Sequence, residues 1–278
     1  MLSSRPSSRG TLAASALGLV VVLLDVSVVN VALEALRQKF STDVAGLQWV
    51  VNAYTLAFAA LLLTSGAMGD RFGARRAFSW GLILFTLASL ICGLTDELSG
   101  LVAARLLQGV GAAMLVPNSL SILQRAFQPG EERGRAVGWW GAVGGLSLAA
   151  GPVLGGLLVT HLGWRSIFLV NLPVGLIGIY LTLRYVTPDG EGHRRRLDWP
   201  GQATVVFALA SMTASLIEAS SLGWGDTRVQ SGLLLAIAAL FVFVWIEWRT
   251  QDPMLPMTLF RAPTFMASTA SGLIVNFS

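Results

Sequence analysis

Apolar residues run along this chain in blocks of about 20, and the charged positions gather in the gaps between them. Windows of that length place helical spans near 13–33, 48–68, 77–95, 99–123, 136–160, 166–186, 199–220 and 230–248. At ~1.5 Å of rise per residue, ~20 apolar residues cover the ~30 Å hydrocarbon core of a bilayer. The blocks are continuous, without the ~10-residue stretches of alternation that mark barrel strands, so the expected fold is an all-α transmembrane helix bundle. A ninth block opens at Pro263 and reaches Ser278. Its ~16 residues rise only ~24 Å, short of a crossing, so the chain reads as truncated inside the membrane.

Composition agrees with that reading. Charged residues make up 12% of the chain and mean hydropathy is +0.67, against ~25% charged in an average soluble domain, and no soluble core absorbs the difference. Arg5 and Arg9 precede the first block in the manner of a secretory signal, but its length and the spans behind it indicate an uncleaved helix. With the N-terminus in the cytoplasm, fourteen of the nineteen Arg and Lys residues fall on the inside and four outside, a strong positive-inside bias. The sequence pI near 10.0 therefore calls for no nucleic-acid partner. Even the run Arg194-Arg195-Arg196 reads as a topology determinant or a contact to anionic lipid. Cys92 is single, His161 and His193 fall on opposite sides, and the sequence contains no nucleotide loop, nucleophile elbow or metal-ligand spacing. Enzyme chemistry is thus disfavoured, and no cofactor or metal is called for.

Two charges inside the spans carry the chemistry. Asp25 sits in the first span, where an ionisable group costs at least ~2.5–3.5 kcal/mol and is by default functional. By helical rise it lies ~18 Å from the cytoplasmic end, and Arg105 of the fourth span lies ~9 Å from the opposite end. In a ~30 Å core the two share a level and can meet across the bundle, unless Arg105 snorkels to the headgroups. A guanidinium favours the ionised carboxylate and desolvation disfavours it, so access to either side would decide its protonation. Asn30, just over a turn beyond Asp25, is placed at the same cavity. Glu218, near the end of the seventh span, reads as a solvated carboxylate. Trp49, Tyr54, Trp139 and Trp140 line either an apolar cavity or the interfacial belts.

The turn Gly66-Ala67-Met68-Gly69-Asp70-Arg71-Phe72-Gly73-Ala74-Arg75-Arg76 joins spans two and three. Its glycines allow close approach and reversal, and Asp70 can bond a helix N-terminus or an Arg. In span five Gly134, Gly138, Gly141, Gly145, Ala149 and Pro152 recur every three or four residues. Such small residues admit another helix, from the same half or from a second one.

These motifs are where the chain resembles a known family. The turn is similar to the signature loop of the major facilitator superfamily, with Ala74 where that pattern has Arg. Leu24 to Leu33 resembles the first-span signature of the 14-helix drug:proton antiporter branch, although Glu34 stands where that branch has Pro. Arg105-Leu106-Leu107-Gln108-Gly109-Val110-Gly111-Ala112-Ala113 resembles its fourth-span motif, and the stretch from Gly145 to Gly156 its antiporter motif. The likeness continues through Trp164-Arg165, Phe168, Asn171, Pro173 and Leu197-Asp198-Trp199-Pro200-Gly201 to Pro253, Leu259-Phe260-Arg261 and Phe265.

The resemblance implies an N-terminal tail over 1–12, a six-helix half over 13–186, a loop and two linker helices over 187–248, and a loop with an incomplete ninth helix over 249–278. It implies a proton-coupled exporter in a bacterial plasma membrane, N-terminus inside, moving amphipathic or cationic drug-like molecules against protons. Lipid and a missing C-terminal half would be its other partners. Asp25, Asn30 and Arg105 would couple protons or bind substrate. Gly66, Asp70, Arg71, Gly73, Arg75 and Arg76 would form the gating loop, and Gly145, Gly151, Pro152, Gly155 and Gly156 the antiporter motif. A transporter of one metabolite, or a non-transporting remnant, are the competing expectations.

Overall fold

The computed structural model describes residues 8–189, 198–250 and 263–277. Arg5, His193, Arg194 to Leu197 and the stretch from Pro253 to Arg261 lie outside the described residues. The helices are α1 (Ser8–Phe40), α2 (Val44–Phe72), α3 (Ala74–Leu94), α4 (Leu98–Ala126), α5 (Glu131–Leu162), α6 (Ser166–Leu169), α7 (Asn171–Tyr185), α8 (Trp199–Leu222), α9 (Thr227–Arg249) and α10 (Pro263–Phe277). Among the described residues there is no strand, and eight helical spans are long and apolar enough to cross a membrane. Each of the eight falls on one expected block. α1 and α2 outrun their blocks by a turn or more at both ends, because backbone pairing continues where side chains become polar.

The sixth block differs from a plain helix, because the structure breaks it at Val170 into α6 and α7. Pro173 explains the break, since its ring carries no N–H and clashes with the carbonyl four residues back, at Leu169. A second proline is accommodated differently. Pro152 inside α5 leaves the Leu148 carbonyl without its helical donor, and the Ser27 hydroxyl of α1 supplies one at 2.8 Å.

α4 packs against α2 and α3, while α1 packs against α5 and α7. Two buried apolar clusters stand one above the other. The first is built around Val22, Phe78, Phe85 and Leu115, the second around Val28, Leu36, Leu101 and Phe168. Along each helix the polar residues Asp25, Ser89, Arg105 and Gln108 occupy the interval between the two clusters.

Helices α8 and α9 pair with each other, and α8 also meets α2. Lipid tails are as apolar as leucine, so burial alone does not drive helices together in a bilayer. Polar contacts and small residues do that here. Buried Gln202 donates to the Ala60 carbonyl at 3.0 Å and accepts from the Thr64 hydroxyl. On the other face of α8, Gly232 of α9 lies directly against Ser215.

Candidate functional site

A polar centre drawn from five helices fills the interval between the clusters. Asp25 of α1 and Arg105 of α4 are each 1% exposed and form an ion pair, Nη1 to Oδ2, at 2.5 Å. The other carboxylate oxygen, Oδ1, accepts from Gln108 Nε2 at 2.7 Å and from Asn171 Nδ2 at 2.9 Å. Those two amides also donate to the Ser89 hydroxyl, at 2.7 Å and 3.3 Å. Arg105 donates in addition to Gln108 Oε1 at 2.7 Å and, through Nε, to the Val50 carbonyl at 3.2 Å. Its guanidinium carbon stands 4.3 Å from the centroid of the Tyr54 ring, so the cation faces the negative side of an aromatic quadrupole.

Each part is placed by local sequence. Gln108 follows Arg105 by three residues and so shares its helix face. Asn171 is the first residue of α7, brought inward by the break that Pro173 causes. Desolvating two charges costs several kcal/mol per ion, and apolar residues of the same volume are often as stable. An ion pair kept in the membrane interior with such a complement of hydrogen bonds points to use rather than to stability.

Asn30 does not join the centre. Five residues on a helix turn through about 140° from Asp25, and Asn30 is exposed on another face of α1. Ser89, Gln108 and Asn171 are the members that sequence reasoning did not single out, although each is an amide or hydroxyl within an otherwise apolar block. Tyr54 lines neither an open cavity nor a belt, being 2% exposed beneath the guanidinium. Glu218 is exposed, as a solvated carboxylate should be.

At the turn between α2 and α3, Asp70, Arg71 and Arg76 are exposed, and Gly66 is half-buried beside Pro117. Gly73 has φ +98°, in the region that favours glycine. Arg75 is half-buried and its Nη2 donates to the Leu183 carbonyl at 2.7 Å.

The glycine motif of α5 divides by face. A Cβ on Gly151 would stand 2.2 Å from Ser27 Oγ, and one on Gly155 3.3 Å from the Val28 Cα. These two, with Gly144 against Leu19, seat α5 on α1. Gly145 and Gly156, like Gly134, Gly138 and Gly141, meet nothing within 4 Å, and Pro152 is exposed. Gly151→Ala is therefore expected to destabilise the chain by ~1–3 kcal/mol, as overpacking does, while Gly145→Ala, whose added methyl meets nothing within 4 Å, carries no such penalty. Thermal midpoints of the two variants in detergent check the contrast, and equal midpoints would refute the division.

The chain matches a family model described as the Major Facilitator Superfamily over residues 15–277. The methylenomycin A resistance protein of Streptomyces coelicolor is 40% identical over 265 residues, which cover 95% of this chain and 56% of that protein. The drug efflux pump JefA of Mycobacterium tuberculosis is 40% identical over 273 residues, covering 98% and 53%. The tetracenomycin C resistance and export protein of Streptomyces glaucescens is 37% identical over 270 residues, covering 96% and 50%. The chain thus spans about half the length of the curated relatives it matches. Among solved structures, a peptide transporter POT mutant in complex with sulfate superposes with a TM-score of 0.64, at 15% identity, over 88% of this chain and 53% of that one. At that identity the likeness concerns the fold alone.

Proposed function

The chain belongs to the Major Facilitator Superfamily, and on that premise we propose that it supplies the first half and the linker pair of a 14-helix drug:proton antiporter. Its substrates are amphipathic or cationic small molecules, exported from a bacterial cytoplasm across the plasma membrane, with the N-terminus of the chain inside. That these relatives are named for antibiotic resistance and drug efflux supports the export of drug-like molecules. The positive-inside bias supports the orientation.

The observation that carries the reading is the Asp25 centre. One carboxylate accepts hydrogen bonds from helices α4 and α7, and Ser89 of α3 is tied to the same amides. A proton on Asp25 removes the charge that holds Arg105, so proton uptake and the packing of these helices are one event. Alternating access by rocking of two halves about a site near the midplane then follows the general pattern of such transporters. The turn from Gly66 to Arg76, with Asp70, Arg71, Gly73, Arg75 and Arg76, biases which state the bundle occupies.

Arg105→Lys tests the centre directly. Lysine keeps the charge, but an ammonium does not reproduce a guanidinium that bonds Asp25, Gln108 and Val50 together. In a transporter completed by a second half, the pH optimum of export is expected to move while expression stays at the wild-type level. An optimum that overlays wild type would remove Arg105 from coupling. Accumulation of one solute with no drug-dependent export would overturn the exporter reading itself.

A further inference from the structure

Asp189 lies four residues past the end of α7, outside every apolar block, yet its side chain is only 7% exposed. Its Oδ2 accepts from the backbone N–H of Arg75 at 2.9 Å and of Arg76 at 3.4 Å. Its Oδ1 pairs with Arg125 Nη1 near the end of α4 at 2.9 Å. The amides of Arg75 and Arg76 belong to the first turn of α3, where N–H groups have no partner within the helix and the dipole is positive.

Gly73 completes the seat. A Cβ there would stand 2.3 Å from Asp189 Oδ2, so the absence of a side chain at this glycine is what admits the carboxylate. The second tie between the same elements is the bond from Arg75 to the Leu183 carbonyl. The start of α3, the end of α4 and the chain leaving α7 therefore meet on one carboxyl group.

We infer that Asp189 is the positioning residue of the α2–α3 loop: Gly73, the backbone amides of Arg75 and Arg76 and the Arg125 guanidinium form a receptor for this carboxylate, which locks the exit of the sixth span to the start of α3 and the end of α4. Asp70, in the last turn of α2, is exposed and is not the acid that occupies this seat. The influence of Asp189 on transport rests on the reading given above, but the latch itself does not.

Hydrogen exchange read by mass spectrometry on the 278-residue chain in lipid nanodiscs separates the two. In Asp189→Ala the peptide covering 73–79 is expected to exchange at least tenfold faster, while peptides from 104–115 in α4 keep their protection. Asp189→Asn retains a carbonyl acceptor and loses the pair with Arg125, so its exchange should fall between the two. Adding Arg125→Ala to Asp189→Ala should change little, because the contact is already gone. Unchanged exchange over 73–79 in Asp189→Ala overturns the latch. If α4 also loses protection, the Asn variant decides by whether 73–79 alone responds. In the completed transporter, Asp189→Ala should lower the maximal export rate several-fold at an unchanged half-saturating drug concentration. Wild-type export by that variant refutes the positioning role, whereas a parent that exports nothing refutes the exporter reading and leaves the latch standing.

Discussion

Asp25→Asn is expected to abolish drug-dependent proton release and to lower the thermal midpoint of the chain. The two effects have separable causes. Asparagine cannot neutralise Arg105, and removing one partner of a buried pair typically costs ~3–5 kcal/mol because the other charge remains in place. Asparagine also takes up no proton in the working pH range, so the coupled step has no carrier. Adding Arg105→Gln removes the uncompensated cation, so Asp25→Asn with Arg105→Gln should regain much of the lost midpoint and none of the proton release. Asp25→Glu, which keeps the acid and displaces it by one methylene, should retain part of the activity. The measurements are a pH-sensitive dye in proteoliposomes holding the completed transporter, and unfolding midpoints in detergent for the chain alone. Wild-type proton release in Asp25→Asn would remove Asp25 from the coupling step. A midpoint equal to wild type would show that the pair with Arg105 carries no stability.

Depth along a helix and identity of neighbours differ in how far they can be read from residue spacing. A fixed rise of ~1.5 Å per residue puts Asp25 and Arg105 at one level from span ends alone, and the structure brings them into contact. Gln108 was equally readable, one turn from Arg105 on the same face. Ser89 and Asn171 were not, because their membership depends on α7 standing beside α1 and on α3 standing beside α4 and α7, a fact that no local pattern encodes. Asn30 is the opposite case, close to Asp25 in sequence but exposed on another face of α1. Pro173 stood in view, but transmembrane helices often absorb prolines without breaking, as α4 does with Pro117 and α5 with Pro152. Within α5 the small residues were plain, yet only packing shows that Gly144, Gly151 and Gly155 face α1 while Gly145 and Gly156 do not. Asp189 left no signal, since a lone acid in a polar segment is ordinarily solvated. Only the missing Cβ of Gly73 shows in hindsight that something fits there.

Expressed by itself, the 278-residue chain is expected to insert into the membrane and to export nothing. Rocking requires two bodies around one site, and the chain spans about half the length of its curated relatives. Its own geometry leads to the same expectation. One face of α5 presents Gly134, Gly138, Gly141 and Gly145 with nothing within 4 Å, and Leu146 and Val153 beside them are 70% and 66% exposed. Small residues at such a density let a helix backbone approach closely, and no described helix takes that place. A cell stripped of its own exporters and carrying this chain should therefore show drug resistance and ethidium efflux at the level of the empty vector, while the protein is found in the membrane fraction. Proton-dependent efflux well above vector would refute the expectation. It would also require a second copy of the chain to occupy the open face of α5, so Gly145→Leu, which should leave this chain folded, would then abolish that efflux by blocking the contact between copies.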